Sequence, residues 1–216
     1  MINITCSWSG GKDCSFALLR AIEIGYVPKV LLNMMNEDGK TSRSHGLPVE
    51  LLNLQAKAMN MELLTVPTLP TNYEQNFIAA LEKTKSEFEV LGVVYGDIDL
   101  EGHRVWQERV CGLVNLQPIL PVWGINREVL AQQIVDSGLE CIIVSCNLKM
   151  GESFLGRMYD AQLIAELKTI GIDSCGEDGE FHTFAINGPM FKHKVTVPEY
   201  STKTENEFCY IDWKID

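Results

Sequence analysis

The sequence predicts an α/β protein: a parallel, twisted sheet with flanking helices, followed by a smaller α+β lobe. Three observations predict it. Short apolar, β-branched runs alternate with amphipathic ones through the first two thirds of the chain, the pattern of βα units wound around a sheet buried on both faces. The first of these runs ends in Ser9-Gly10-Gly11-Lys12-Asp13-Cys14, a glycine turn that leads straight into a helix-like stretch. After Trp123-Gly124 the texture changes, and Gly151, Gly156, Gly171, Gly176, Gly179 and Gly188 interrupt the periodicity. The 216 residues, 46% of them hydrophobic, suffice for one sizeable core or for one large and one small lobe. A soft boundary near residue 124 divides them into domains 1–124 and 125–216.

Strands are expected over 4–8, 29–35, 63–66, 90–95 and 119–122, each an apolar run between polar or glycine-containing breaks. Helices are expected between them. The first covers 15–24. The second covers 48–59, with Leu47, Leu51, Leu54 and Ala58 on one face and Pro48 where a first-turn proline is tolerated. Asn72 is placed to cap a third, which carries Phe77, Leu81 and Phe88. A fourth runs over 101–114, with Trp106, Val110 and Leu113 as its apolar stripe. Beyond the boundary, Asn126 can cap a helix over 127–137, and 140–146 reads as a strand. Runs at 180–186 and 192–197 read as a hairpin joined through Asn187-Gly188-Pro189. A last short strand, 209–213, follows a polar connection at 201–206.

Composition narrows the function. The formal charge is −11, from 18 basic and 29 acidic residues, with no lysine or arginine run. A nucleic-acid partner leaves a basic footprint, so this balance argues against one. No apolar stretch is long enough to cross a bilayer, and the start of the chain has neither a basic n-region nor a cleavage site, so the cytoplasm is the expected compartment. The seven cysteines are scattered without a CxxC pair, several of them in apolar strands where reduced cysteine acts as a small hydrophobe. Zinc and iron–sulfur sites are therefore not expected.

The turn at 9–14 builds an anion cradle. Glycines allow positive φ and close approach, so backbone N–H groups and the positive end of the following helix converge on a phosphate, with Lys12 adding a mobile charge. It is not a Walker A loop, which needs glycine where Cys6 stands and Ser or Thr where Asp13 stands. The plainer alternative is a Gly-Gly turn closing a βα unit beside a solvated lysine. In open parallel sheets ligands bind outside the carboxyl ends of the strands. Asn33, His45 in the following loop, and Gly96-Asp97 fall at such ends. Asp97 either holds a Mg²⁺ that bridges ATP phosphates or serves as a turn or capping residue before Glu101. His45 and His103 suit ordinary polar or capping roles, and His45 stays a candidate because it lies beside the expected nucleotide site.

A second constellation is Cys175-Gly176-Glu177-Asp178-Gly179-Glu180-Phe181-His182-Thr183. A strand starting at Glu180 puts Glu180 and His182 on one face. Close carboxylates raise one another's pKa and serve as a general base or bind an ammonium ion, while His182 is expected to titrate near neutrality. Surface acid clusters share this composition.

Together these residues carry a resemblance. The 9–14 loop resembles the SGGKD[ST] pyrophosphate loop (PP-loop) of the N-type ATP pyrophosphatases. With Gly96-Asp97, Pro121-Val122-Trp123-Gly124, Leu155-Gly156-Arg157, the 176–183 segment and Gly188-Pro189-Met190-Phe191, the chain is similar to the diphthine–ammonia ligase family over residues 3 to about 197. The 96–106 stretch looks like a bacterial-type branch. Cys14 stands where the family has serine.

The resemblance implies a PP-loop, Rossmann-like domain at 1–124 that holds ATP and Mg²⁺, the metal at Asp97. It implies a nucleotide site of Ser9, Gly10, Gly11, Lys12, Asp13, Cys14, Asn33, His45, Gly96 and Asp97. It implies catalytic Lys12, Glu177, Glu180 and His182, the roles of the last three left unordered, and a substrate side at Gly156, Arg157, Glu177 and Glu180. The implied reaction activates a carboxylate with ATP, releasing AMP and pyrophosphate, and amidates it with ammonium. The acid is a small molecule or a modified protein side chain, and a homodimer is compatible with all of this. Two other readings remain: an ATP-binding sensor without turnover, and a PP-loop tRNA-modifying enzyme, which would need a persulfide cysteine or cluster and a basic surface.

Overall fold

The computed structural model describes residues 1–215. Strands β1 (Ile2–Ser7), β2 (Tyr26–Met35), β3 (Glu62–Pro67), β4 (Gly92–Val94) and β5 (Gln117–Ile119) form a parallel sheet in the order β3-β2-β1-β4-β5. Helices α1 (Lys12–Glu23), α2 (Val49–Met59), α3 (Tyr73–Phe88) and α4 (Glu101–Leu113) cross over between them. Strand β2 shows why its sequence is apolar without alternation. Leu31 and Met35 face the core with α1 and α2, while Val30, Leu32 and Met34 face a second core with Phe77 and Leu81 of α3 and Val110 and Cys111 of α4. The strand order reverses between β1 and β4, and α1 starts there, which opens a crevice at the carboxyl ends.

The second sheet is antiparallel, with β6 (Glu140–Asn147), β7 (Phe181–Asn187), β8 (Tyr200–Glu205) and β9 (Phe208–Trp213) in the order β7-β6-β9-β8. Helices α5 (Arg127–Asp136) and α6 (Ala161–Thr169) flank it. The larger core runs without a break from Ile4 and Leu18 through Leu130 and Ile143 to Phe184, so the small lobe packs on the α1 side of the large one. Strand β7 reaches the glycine turn directly, its Ala185 N–H donating to Gly10 O at 2.9 Å. Among the described residues no helix is long and apolar enough to cross a membrane.

Several expectations need correction. Residues 192–197 form no strand. Lys192 N–H bonds Ala58 O at the end of α2, Val195 N–H bonds Ile186 O, and the alternating Lys-His-Lys-Val-Thr-Val pattern reflects one buried valine, Val195. The strand that completes a hairpin with β9 is β8, which reads as a polar connection because all six of its residues are exposed at the sheet edge. Its turn, Asn206-Glu207, has positive φ at both positions (48° and 68°), as a two-residue hairpin requires. Helix α6 lies outside the elements the sequence predicts; Asp160 Oδ1 caps it through Leu163 N–H, and Leu163, Ile164 and Leu167 bury its inner face. Leu54 and Leu113 are exposed; α2 buries Leu51, Leu52 and Gln55, and α4 buries Gln107, Val110 and Cys111. Asn72 occupies the N-cap of α3, but its Oδ1 accepts from Leu69 N–H and Thr68 Oγ1–H. Asn126 does cap α5, accepting from Glu128 and Val129 N–H.

Candidate active site

The turn after β1 is fixed from three sides. Gly10 takes φ +87°, which other residues rarely adopt, and a Cβ on it would lie 2.8 Å from Leu47 Cδ1. Gly11 does not share the positive φ expected of both glycines. It adopts φ −94°, and is glycine because the His45 ring fills the place of a side chain. Gln55, fully buried on α2, donates through Nε2 to Gly10 O and Ala185 O (both 2.8 Å) and accepts from Trp8 Nε1–H at 2.9 Å. Thr183 Oγ1 accepts Lys12 N–H at 2.9 Å, so β7 supplies one cap of α1. Cys14 turns its thiol into the loop, donating to Gly11 O at 3.3 Å and taking Ser9 Oγ–H at 3.3 Å. The N-terminal end of α1, through Lys12, Asp13 and Cys14, lines the crevice, so the positive end of the helix dipole lies beside it.

That crevice is a cavity of about 620 Å³ lined by Ser9, Lys12, Asp13, Cys14, Asn33, His45, Gly96 and Asp97 from one lobe and by Glu177, His182 and Thr183 from the other. Asn33, buried at the end of β2, donates through Nδ2 to Trp8 O at 2.6 Å. Gly96 lies against the N-terminus of α1: a Cβ there would sit 2.6 Å from Cys14 N and 2.8 Å from Asp13 C. These are backbone atoms that cannot swing aside. Gly96→Ala is therefore expected to push the 9–14 loop out of place and cost about 1–3 kcal/mol, read as a lowered Tm in thermal unfolding. An unchanged Tm would show that the loop yields freely.

Asp97 does not cap α4. It caps no backbone; its oxygens take Gln107 Nε2–H at 2.5 Å and meet His103 Nδ1 at 2.7 Å, both side chains of α4. Among the described residues no group of three or more His, Cys, Asp and Glu side chains converges to hold a metal. A single hard carboxylate at a phosphate cradle still fits Mg²⁺, which binds through one or two protein carboxylates with phosphate oxygens and water completing its shell.

Lys12 is not the mobile charge that its sequence position suggests. It is buried, its Nζ paired with Asp13 Oδ2 at 2.8 Å and donating to Cys175 O, with the Tyr159 and Phe181 rings 5.7 and 5.3 Å away. Burial works to lower its pKa, but Asp13, with Cys175 and Glu177 beside it, outweighs that and holds the ammonium above the usual lysine value. Glu177 stands at the same end of the cavity. Burial, with Asp13 adding to it against the opposing charges of Lys12 and Arg127, pushes its carboxyl up to about 7.

His182 does not titrate near neutrality. Burial, helped by the Lys12 charge, pushes it down to about 4. It stacks on His45 with ring centroids 4.5 Å apart. His45 is also held well below the usual histidine range, by burial and then by His182, against the carbonyl of Thr183. That carbonyl, 3.1 Å from Nδ1, can only accept, so neutral His45 carries its proton on Nδ1. Glu180 does not join His182 either. Strand β7 begins at Phe181, and Glu180 turns away to accept Asp173 N–H through Oε1 at 3.3 Å, outside the cavity lining.

The family model described as "Diphthamide synthase N-terminal domain" matches residues 2–118, and "Diphthamide synthase C-terminal domain" matches residues 126–215. The chain belongs to the diphthamide synthase family. It is similar to the diphthine–ammonia ligase of Rattus norvegicus, 29% identical over 216 residues that cover 88% of this chain and 80% of the relative. It is similar to that of Homo sapiens at 27% identity over 215 residues, with the same coverage. Among solved structures, the predicted subunit of tRNA methyltransferase from Methanocaldococcus jannaschii is similar with a TM-score of 0.48 and 16% identity, over 88% of this chain and 98% of that chain. Membership places the chain among ligase enzymes.

For a diphthamide synthase family member, the cavity has a lining that the sequence motifs do not single out. Gly156 and Arg157, expected on the substrate side, lie outside it, with Arg157 Nη2 on Glu166 Oε2 at 2.6 Å. Trp8, Arg43, Tyr73, Trp106 and Gln107 line it instead. The only sequence signal for Trp8 and Arg43 is their place after β1 and β2. Tyr73, Trp106 and Gln107 read as ordinary residues of amphipathic helices.

Proposed function

We propose that this chain is an ATP-dependent amide ligase that activates a carboxylic acid as its acyl-adenylate and amidates it with ammonia. One observation carries the reading: the N-terminus of α1, with Ser9, Lys12 and Asp13 of the glycine turn, and a carboxyl group poised near neutral pH line the same cavity. Residues 1–124 hold the nucleotide and 125–216 bring the acid-handling segment to it. ATP lies at the carboxyl ends of β1, β2 and β4, its phosphates on the backbone of residues 9–14 at the positive end of α1. Asp97 would hold a Mg²⁺ brought with the nucleotide, and that ion would supply charge neutralisation for the departing pyrophosphate.

A substrate carboxylate oxygen bonds the α-phosphorus while the bond from that phosphorus to the α–β bridging oxygen breaks, so pyrophosphate leaves. Ammonia nitrogen then bonds the acyl carbon, Glu177 takes the proton that it sheds, and AMP leaves with the bond pair. Lys12, between the cradle and Glu177, faces the negative charge of both steps. Neutral His45 and His182 wall the site without repelling ammonium.

The relatives' name puts diphthine first among the acids to test, and other acids borne on small molecules or protein side chains come next. Enzyme, ATP, Mg²⁺ and ¹⁵N-ammonium are incubated with a diphthine-bearing protein or with a metabolite extract, and AMP, pyrophosphate and labelled amide are measured. Ammonium-dependent AMP and pyrophosphate with ¹⁵N in an amide is the expected result. Tight ATP binding without AMP in every arm would replace this reading by a nucleotide sensor.

A further inference from the structure

The first residue of α5 makes more ionic contacts than any catalytic scheme assigns to it. Arg127 grips Asp99, in the loop after β4, with both fork nitrogens: Nε to Oδ2 at 2.7 Å and Nη2 to Oδ1 at 3.0 Å. Its remaining nitrogen, Nη1, stays within the small lobe, donating to Asp173 Oδ2 at 3.0 Å and Asp178 Oδ1 at 3.3 Å. Asp173 passes the hold on. Its Oδ1 accepts Cys175 N–H at 3.2 Å and its Oδ2 accepts Glu177 N–H at 3.0 Å. Cys175 in turn gives its thiol hydrogen to Arg127 O at 3.1 Å and its own carbonyl to Lys12 Nζ. An unbroken run of hydrogen bonds thus joins Asp99 of the nucleotide lobe, through Arg127, Asp173 and Cys175, to Lys12.

We infer that Arg127 is a positioning residue: it holds the 173–177 turn against the nucleotide lobe, so that Glu177 and Lys12 meet at one end of the cavity. The importance of that position rests on Glu177 being the base proposed above, but the hold itself does not. A bidentate arginine is the side chain suited to the task, because its planar fork fixes Asp99 while the third nitrogen remains free for Asp173; a lysine ammonium cannot do both. Asp178 is a passenger, its side chain 72% exposed at the rim. The charged groups that act on the Glu177 carboxyl are Lys12 and Asp13 of α1, Asp97 after β4, and Arg127 itself, while the Asp173 carboxylate accepts its backbone N–H. Loss of Arg127 therefore both loosens the turn and removes one of the two cations that favour the carboxylate.

Hydrogen–deuterium exchange on the full chain reads the hold without any turnover. In Arg127→Gln the amides of Cys175 and Glu177 are expected to exchange about tenfold faster or more, while those of β2 and β3 keep their protection. Asp99→Asn, a change at a half-exposed side chain that leaves the fold alone, is expected to shift the same amides by a smaller factor, and Asp178→Asn to leave them alone. In the ammonium-dependent assay Arg127→Gln should lower kcat about tenfold with KM for ATP within about twofold, and Arg127→Lys should recover little of it. Unchanged exchange at Cys175 and Glu177 in Arg127→Gln overturns the inference, as does faster exchange spread evenly over both lobes. A wild-type protein without ammonium-dependent AMP formation overturns the ligase reading only, and the exchange result then still decides the role of Arg127.

Discussion

Lys12→Met is expected to lower the rate of ammonium-dependent AMP formation by about 10²–10³-fold, the usual effect of removing a preorganised charge aimed at a reacting group. Methionine keeps an unbranched apolar side chain of similar length, so the loss isolates the ammonium beside the Tyr159 and Phe181 rings. Two further effects follow from the same contacts. Asp13 loses its partner at 2.8 Å while its side chain remains only 23% exposed, so the Tm should fall. Glu177 loses one of the cations that hold its carboxyl down, so the pH midpoint of the residual activity should move up. Pre-steady-state measurement of AMP across pH 6 to 9 checks the rate and the midpoint, and thermal unfolding checks the Tm. Activity within about threefold of wild type would mean that Lys12 only fastens the two lobes together.

Glu177→Gln carries the second large effect. A general base must be ionised, and with its carboxyl at about 7 the wild-type rate should rise with pH through that midpoint and level off above it. The glutamine variant should lose about 10²–10⁴-fold at the plateau, and with it the limb near pH 7. Stability should move the other way. A carboxyl whose folded pKa lies above its unfolded value favours the folded state while protonated; that contribution is fully present below about 4.5 and is lost as pH rises through about 7. Above pH 7 the wild type therefore carries the cost of a half-buried carboxylate that glutamine does not. The variant should be more stable than wild type at pH 8 and nearly equal at pH 5. A Tm difference independent of pH would show that Glu177 is not the group with the raised pKa.

The strands of the large sheet were legible because burial on both faces forces unbroken apolar runs, and the 9–14 turn because glycine and lysine at a strand-to-helix junction have few other uses. What failed is what three-dimensional neighbours decide. The β8 strand hides in a polar sequence because an exposed edge strand has no burial pattern to display. The 192–197 segment alternates like a strand but is anchored by two isolated backbone bonds. In the site, His182 and Glu180 were paired by strand parity, yet His182 stacks on His45 from a different lobe, and Glu180 sits one residue before β7 starts. Its carboxylate is taken by the turn at Asp173. The neutrality of His182 depends on burial and on Lys12, 170 positions away in the chain, and no local spacing encodes it. Arg127 reads in the sequence as a plain helix-start residue; only the fold brings Asp99, Asp173 and Asp178 around it.

The most direct test is a crystal structure of the protein with Mg²⁺ and an ATP analogue whose α–β bridge is methylene, which cannot release pyrophosphate. The account predicts β and γ phosphates on the amides of residues 9–14, the α-phosphorus turned toward the end of the cavity where Lys12 and Glu177 meet, and metal density beside Asp97. A nucleotide bound elsewhere, or an empty 9–14 turn at saturating analogue, would contradict it.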